Sequence, residues 1–203
     1  MSEVIGPIND RRALRAFDSR DVPLDVQETL WEAFQLAPSQ GNSQPARLLV
    51  ARSPGVRERV FGGLSEGNRG WAGGAHLLLA SGAFPAHDHV QVNSDGSTRE
   101  MWGFDAGLAL ASLLIQASAM GLVAHPMAGF DEVAVRAAFG APAELRILAV
   151  VALGYPADPA TLPEDLRAKE TAPRRRLPRE HVVAFDAWDE RLTTSWRDLQ
   201  KRP

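Results

Sequence analysis

The sequence predicts an α+β fold in which helices cover a mixed central sheet. Segments with the apolar spacing of amphipathic helices alternate along the chain with short apolar runs that are typical of strands. A chain of 203 residues is long enough for one domain with a substantial core, and the sequence contains no internal repeat. We therefore predict a single domain over residues 1–203, in which 155–203 form an extended C-terminal arm.

The first part of the chain alternates between helix and strand. Apolar residues keep helical spacing until Pro38, which cannot continue a helix, and the turn-forming run 39–45 follows it. Ser53 and Pro54 suit the start of a second helix, and a glycine pair suits its end. The predicted elements are, in order, a helix over 24–37, a strand over 48–51, a helix between 53 and 63, and a strand over 77–80.

The middle of the chain combines a polar connection with a long uncharged stretch. Residues 87–98 are polar and contain a turn-forming Asn-Ser-Asp-Gly, so we expect an exposed, mobile connection that could cover a pocket. Residues 106–130 contain no Asp, Glu, Lys or Arg, but polar residues and Pro126 interrupt the run, which favours a buried helix over a membrane span. The small residues of 101–120 suit a central helix or the core of a dimer.

The last part of the chain is predicted to contain less core. Residues 131–139 are typical of a short capped helix, and the all-apolar run 147–153 is typical of a strand inside a sheet. From 155 to 179 the composition is rich in proline and charge, which favours an extended arm. A strand-like run follows at 181–185. A single strand cannot bury itself, so we expect it to join a sheet elsewhere, in this chain or in a partner subunit.

Composition excludes several kinds of function. The chain carries 22 basic and 25 acidic residues, a net charge of −3, so it lacks the positive field of a general nucleic-acid-binding protein. It contains no cysteine, which rules out disulfides and thiolate chemistry, so any redox chemistry needs a bound cofactor. The first ten residues lack the basic start and apolar run of a secretory signal, which favours a cytoplasmic location without a membrane partner.

Motifs for several common sites are missing. The sequence has no glycine-rich dinucleotide fingerprint, no P-loop and no G-x-S-x-G elbow. His87 and His89 form the one close histidine pair of the sequence. Because an H-x-H in a loop lacks the further ligands of a metal site, we predict no bound metal.

Two clusters of arginine stand far apart in the sequence, at 11–15 and 174–176. Guanidinium groups are fixed, bidentate donors to phosphate, so two clusters that the fold brings together could hold a phosphate monoester. The competing interpretation is that both are solvated surface residues. Periodicity does not choose between the two.

Four motifs, taken in order, resemble the FMN-dependent nitroreductase family. They are Arg-Arg-x-x-Arg-x-Phe at 11–17, Ala-Pro-Ser-Gln-Gly-Asn-Ser-Gln-Pro at 37–45, Pro-Met-Ala-Gly-Phe at 126–130 and Arg-Arg-Arg-Leu-Pro at 174–178. The second motif is the most specific, and the first is weak by itself. Asn-Arg-Gly-Trp at 68–71 is a looser match to the family's middle segment. Together the motifs span nearly the whole chain.

The resemblance implies a nitroreductase-like, three-layer α/β/α fold and an intertwined homodimer, with the C-terminal strand exchanged between subunits and FMN bound at the interface. It also implies a ping-pong reaction in which NADH or NADPH reduces the flavin and a small organic acceptor, such as a nitroaromatic or a quinone, takes the electrons. Because the flavin carries the chemistry, no catalytic acid or base is assigned to a side chain.

The resemblance also assigns roles to individual residues. The first arginine motif would lie along the phosphate and ribityl chain of FMN, and the late arginines would bind the phosphate. Arg15 would lie at the pyrimidine edge of the flavin, where a cation raises the flavin potential. The 37–45 loop would contact the flavin held mainly by the other subunit, and the Gly129 N–H would donate to flavin N5. The implied cofactor contacts are Arg11, Arg12, Ala13, Arg15, Pro38, Ser39, Asn42, Asn68, Pro126, Met127, Gly129, Arg174 and Arg176.

Some positions depart from the family pattern. Ala13 stands where a hydroxyl residue is often found, Ala46 where an aromatic is common, and Ala128 where some relatives carry an acidic residue. The 126–131 run also resembles small-aldehyde reductases of the same superfamily, so a reductase of a small aldehyde or enoyl compound stays open. A non-catalytic flavin-binding protein and oxygen-dependent chemistry on the flavin stay open as well. Taken alone, 126–130 would also suit an ordinary turn between helices.

Overall fold

The computed structural model describes residues 3–200, which fall into two compact units, one up to Glu170 and one from Thr171 onward. The helices are α1 (Gly6–Asp10), α2 (Leu24–Gln35), α3 (Pro54–Gly62), α4 (Glu66–Ala72), α5 (Trp102–Ala119), α6 (Glu132–Ala138), α7 (Glu164–Thr171) and α8 (Trp196–Gln200). The strands are β1 (Ala46–Ala51), β2 (Leu77–Ala83), β3 (Gln91–Val92), β4 (Thr98–Arg99), β5 (Val123–Met127) and β6 (Arg146–Gly154).

Four strands form the central sheet in the order β1-β2-β6-β5, so β6 lies inside the sheet as its all-apolar sequence predicts. Each neighbouring pair is antiparallel. The predicted α+β class is confirmed, but the mixed strand directions are not found among the described strands. Whether two paired strands run parallel or antiparallel depends on the end of the sheet to which the connection between them returns. The spacing of apolar residues does not indicate which end that is.

The sheet has a helical layer on each face, which confirms the three-layer arrangement. In β2, Leu77 and Leu79 pack in one core cluster with residues of α2 and α5. Leu78 and Ala80 point to the opposite face, where they pack with residues of α3, α4 and α6. Because successive side chains of a strand face opposite sides, a strand buried on both faces is apolar at every position.

The uncharged stretch 106–130 is not one buried helix. Helix α5 ends at Ala119, the chain turns at Gly121 with a φ of 71°, and β5 then pairs with β6. Glycine tolerates a positive φ that other residues adopt only with strain, so it can end the helix and redirect the chain into the sheet. No helix within residues 3–200 combines the length and apolar character needed to cross a membrane.

The C-terminal region differs from the predicted extended arm with a strand. Residues 164–171 form α7, whose Glu170 is buried, while Leu166 packs against the core. The strand expected at 181–185 is replaced by a 3-10 helix at Arg179–His181, where the N–H groups of Val182 and Val183 both donate to the Arg179 carbonyl. A strand needs backbone partners on a neighbouring strand, and here the backbone bonds locally. Strand exchange between subunits stays a prediction.

Candidate functional site

Residues 11–17, the basic segment, are held by a buried carboxylate of α7. One oxygen of Glu170, Oε1, accepts hydrogen bonds from the backbone N–H groups of Arg15 at 2.6 Å and Ala16 at 3.0 Å. The other oxygen lies 3.4 Å from Nη1 of Arg15, and the Glu170 carbonyl accepts from Arg12 Nη2 at 3.4 Å. The backbone of the basic segment is therefore fixed where the Arg15 side chain leaves it.

Trp71 of α4 connects the basic segment to the end of β5. Its ring lies 4.4 Å from the His125 ring and stacks on Phe17 at 6.3 Å, measured between ring centroids. The guanidinium carbon of Arg15 lies 5.9 Å from the Trp71 ring, within cation–π range. Trp71 is only 7% exposed. It therefore forms the packing centre on which three chain segments meet.

Asn68, one helical turn before Trp71, binds the loop after β5. Its Nδ2 donates to the Gly129 carbonyl at 2.9 Å, and the Ser65 N–H donates to the same carbonyl at 2.8 Å. A Cβ at position 129 would lie 2.6 Å from Ser65 Oγ and 3.0 Å from Asn68 Nδ2, so any residue other than glycine would displace these side chains. Within residues 3–200, no protein group accepts a hydrogen bond from the Gly129 N–H. That N–H remains available to a ligand.

The end of β5 contributes backbone to this region more than side chains. Pro126 is half-buried, and it lies on an edge strand, where the missing N–H of proline is tolerated. Met127 is 3% exposed and packs in the core, so its side chain cannot line an open site. Of the predicted contacts in this motif, Met127 could act only through its backbone.

His125, directly before this motif, is a buried neutral anchor for the basic segment. Its Nδ1 lies 2.9 Å from the Leu14 carbonyl, and because a carbonyl oxygen only accepts, Nδ1 carries the proton. Burial lowers the pKa of His125, and the positive charges of Arg15 and Arg11 act in the same direction. The imidazole is thus held in its neutral form, as a hydrogen-bond donor.

The lowered pKa of His125 predicts a loss of stability in mild acid. The unfolded chain takes up a proton near the ordinary pKa of 6.5, whereas the folded chain does so only at lower pH. The contribution of His125 is therefore complete above pH 6.5 and is lost as the pH falls through the folded-state pKa. We expect His125→Gln to show a shallower loss of unfolding free energy than the wild type between about pH 7 and 5 in urea titrations. Equal slopes would contradict this assignment.

The 37–45 loop is organised by a different buried carboxylate, Asp105 of α5. Asp105 accepts from the Gln40 N–H at 3.1 Å, and within the loop Ser39 Oγ accepts from the Gln44 N–H at 2.9 Å. Asn42 has a φ of 57°, in the left-handed region. A cavity of about 190 Å³ beside the loop is lined in part by Pro38, Ser39 and Asp105. The hydrogen bond to Asp105 holds the loop on α5. The hydrogen bonds of the loop given above do not connect it to Asn68 or Gly129.

The late arginines belong to the smaller unit, which begins at Thr171. Arg174 and Arg176 are exposed, and Nη1 of Arg176 donates to the Arg175 carbonyl at 2.8 Å. In the same unit the Arg191 side chain donates hydrogen bonds to Asp189, which hold the pKa of that partly exposed carboxyl at about 2. The meeting of Arg174 and Arg176 with the basic segment stays a prediction.

Sequence reasoning missed the residues that hold the site together. Glu170 lies in a charged helix whose composition gives no sign that one carboxylate is buried, and Asp105 lies in an otherwise uncharged run. Trp71 is the last residue of the 68–71 motif and His125 directly precedes the 126–130 motif, and these positions were the available signal. Within residues 3–200, no group of three or more His, Cys, Asp or Glu side chains is suited to a metal ion.

Comparisons with known proteins bear on this arrangement. A family model described as the Nitroreductase family matches residues 8–155, the range that contains the basic segment, the 37–45 loop, Asn68 and Gly129. An NADH dehydrogenase of Thermus thermophilus is 32% identical over 199 residues, which cover 86% of this chain and 92% of that protein. An uncharacterized 15.4 kDa protein of Mycolicibacterium smegmatis is 46% identical over 98 residues, 48% of this chain and 66% of the length of that protein.

Among solved structures, a crystal structure described as an oxidoreductase containing FMN superimposes with a TM-score of 0.80 and 31% identity. The superposition covers 93% of this chain and 94% of that one. A nitroreductase family protein from Clostridium difficile 630 superimposes with a TM-score of 0.71 at 20% identity, which supports the fold alone.

Proposed function

This chain is an oxidoreductase of the nitroreductase family, and from that premise we propose that it depends on FMN and passes electrons from NADH or NADPH to a small organic acceptor such as a nitroaromatic or a quinone. One observation carries the proposal: the basic segment and the Gly129 backbone both meet α4, the first at Trp71 and the second at Asn68. A relative whose structure contains FMN has the same fold over nearly the full chain. The absence of cysteine agrees with redox chemistry supplied by a bound group.

The donors of this region fit the chemistry of FMN. Arg11, Arg12 and the Ala13 backbone would bind the phosphate and ribityl chain, with Arg174 and Arg176 closing on the phosphate, because guanidinium groups match phosphate oxygens. The Arg12 side chain is already held by the Glu170 carbonyl, which limits the side-chain freedom it would lose on binding. Ala13 offers no hydroxyl to the phosphate, so the arginines would provide most of the retention.

Asn68 and the 126–129 backbone fit the flavin ring. Within residues 3–200, no protein group accepts a hydrogen bond from the Gly129 N–H. A side chain at position 129 would clash with Ser65 and Asn68, so the backbone here carries no side chain that would cover it. Asn68 is fixed by its bond to the Gly129 carbonyl, which leaves its side-chain oxygen to accept from the polar edge of the ring. Pro126 and the Met127 backbone would border the same face. FMN, when bound, supplies the hydride acceptor and the onward electron donor.

Arg15 would act on the flavin through its charge. A cation at the pyrimidine edge stabilises the negative charge of the reduced ring. Neighbouring groups restrain Arg15, since its backbone N–H is bound to Glu170 and its guanidinium lies over Trp71. No side chain is assigned as a proton donor or acceptor in the reaction.

A homodimer belongs to the proposal, because Pro38, Ser39 and Asn42 would contact the FMN that is held mainly by the partner subunit. The loop is preformed by its bonds to Asp105, and Asn42 is exposed. Both features suit a surface that completes a site in a second copy of the chain.

The first experiment is an absorbance spectrum of the purified protein before and after anaerobic addition of NADH and then NADPH. A flavin spectrum that bleaches supports the proposal, and steady-state rates on a nitroaromatic, a quinone and a small aldehyde then identify the acceptor class. Bound flavin without repeated turnover would favour a non-catalytic flavin-binding protein. A colourless protein that takes up no added FMN would overturn the proposal.

A further inference from the structure

Glu170 is a buried carboxylate that the proposed reaction does not itself require. Its side chain is 2% exposed, whereas Glu164 and Asp165 at the start of the same helix are exposed. Burying a carboxylate is costly unless it is paired and hydrogen-bonded. Every contact described for the Glu170 carboxylate goes to Arg15 or Ala16. The buried charge of Glu170 therefore acts on the basic segment.

The two carboxylate oxygens of Glu170 act on different parts of the basic segment. Oε1 accepts from two consecutive backbone N–H groups, those of Arg15 and Ala16, which fixes the direction in which the Arg15 side chain leaves the chain. Oε2 lies 3.4 Å from Arg15 Nη1, so the carboxylate also offsets part of the guanidinium charge. Arg15 is 24% exposed, so part of its side chain is accessible to a ligand while another part contacts Glu170.

We propose that Glu170 is a positioning residue that holds Arg15 toward the bound FMN and limits how strongly Arg15 favours the reduced flavin. This inference rests on the proposed function. A cation near the flavin raises its potential, and a carboxylate paired to that cation reduces the effect. The pair would thus set the potential of the cofactor, with Arg15 as the group nearest the flavin and Glu170 acting through it.

The substitution Glu170→Gln removes the negative charge of Glu170 and keeps the size and shape of its side chain. The amide oxygen still accepts from the N–H groups of Arg15 and Ala16, but the negative charge beside Arg15 is removed. We expect the midpoint potential of bound FMN to become more positive. A tenfold greater preference for the reduced flavin corresponds to about 30 mV for a two-electron couple. A purely structural role predicts no such shift in a variant that keeps the backbone hydrogen bonds.

The experiment is an anaerobic, dye-equilibrated reductive titration of bound FMN, followed by absorbance, in the wild type and Glu170→Gln. The matched control is Glu132→Gln, because Glu132 also accepts a backbone N–H, that of Ile147, and pairs with Arg146, outside the basic segment. We expect Glu132→Gln to keep the wild-type potential. Glu170→Asp, which keeps the charge but draws it back by one methylene, serves if Glu170→Gln folds poorly, and it should shift the potential in the same direction by less.

A double variant tests whether Glu170 acts through Arg15. In an Arg15→Gln background, adding Glu170→Gln should shift the flavin potential by clearly less, because the guanidinium that Glu170 holds is gone and only the direct effect of the carboxylate charge remains. A shift of equal size in both backgrounds would overturn the inference. An unchanged potential of bound FMN in both Glu170 variants would also overturn the inference. The proposed function would not be affected by that result. Wild-type protein that binds no FMN would instead overturn the proposed function.

Discussion

Gly82→Ala is expected to destabilise the protein by about 3 kcal/mol or more, which is at or beyond the upper end of the usual range for overpacking a core. Gly82 lies in β2 at a register shift between Ser81 and Gly82. A Cβ at this position would collide with the carbonyl oxygen of Arg146 and lie 3.2 Å from the Ile147 Cα. These are backbone atoms of β6, and both strands have neighbours on either side, so neither strand can move away cheaply.

The measurement for Gly82→Ala is urea unfolding followed by far-ultraviolet circular dichroism. Gly107→Ala is the matched control, because Gly107 lies in α5 with no heavy atom within 4 Å of the added Cβ. That variant should be neutral or up to about 1 kcal/mol more stable, since alanine favours a helix over glycine. A Gly82→Ala protein with the wild-type midpoint would show that β2 and β6 do not approach as closely as described.

Trp71→Ala is expected to lower the unfolding free energy by about 3–5 kcal/mol, the usual range for removing a buried aromatic side chain. The change also removes the ring against which Phe17, Arg15 and His125 pack. The basic segment would then keep its bonds to Glu170 but lose its packing on α4. We therefore expect FMN affinity to fall on the order of tenfold, as suits the loss of a desolvated cation–π contact.

Urea unfolding and fluorescence titration with FMN measure the two effects of Trp71→Ala separately. Trp188→Ala is the matched control, because Trp188 lies in the smaller unit and is 67% exposed. It should change stability by no more than about 0.5 kcal/mol, as is usual for surface substitutions. Folded Trp71→Ala protein with wild-type FMN affinity would contradict the role of Trp71 as the centre of the site.

The sequence by itself determined the features that depend on residues close together along the chain. Pro38 correctly marked the end of the first long helix, which ends at Gln35. Asp131 correctly marked the start of α6, where its side chain accepts from the N–H groups of Val133 and Ala134. The family motifs predicted the fold class, since a family's residue pattern carries its topology. Caps, breakers and apolar runs act over a few residues, so they can be read without the rest of the chain.

The tertiary structure decided which distant residues meet. Glu170 lies 155 residues from Arg15 along the chain, and Asn68 lies 61 residues from Gly129, yet each pair is hydrogen-bonded. Met127 belongs to a recognised motif, but the pairing of β5 with β6 turns its side chain into the core. Local periodicity describes the geometry of one element, whereas the buried partners of a side chain depend on the path of the whole chain. Those partners hold the basic segment and the Gly129 backbone against α4, at Trp71 and Asn68 respectively.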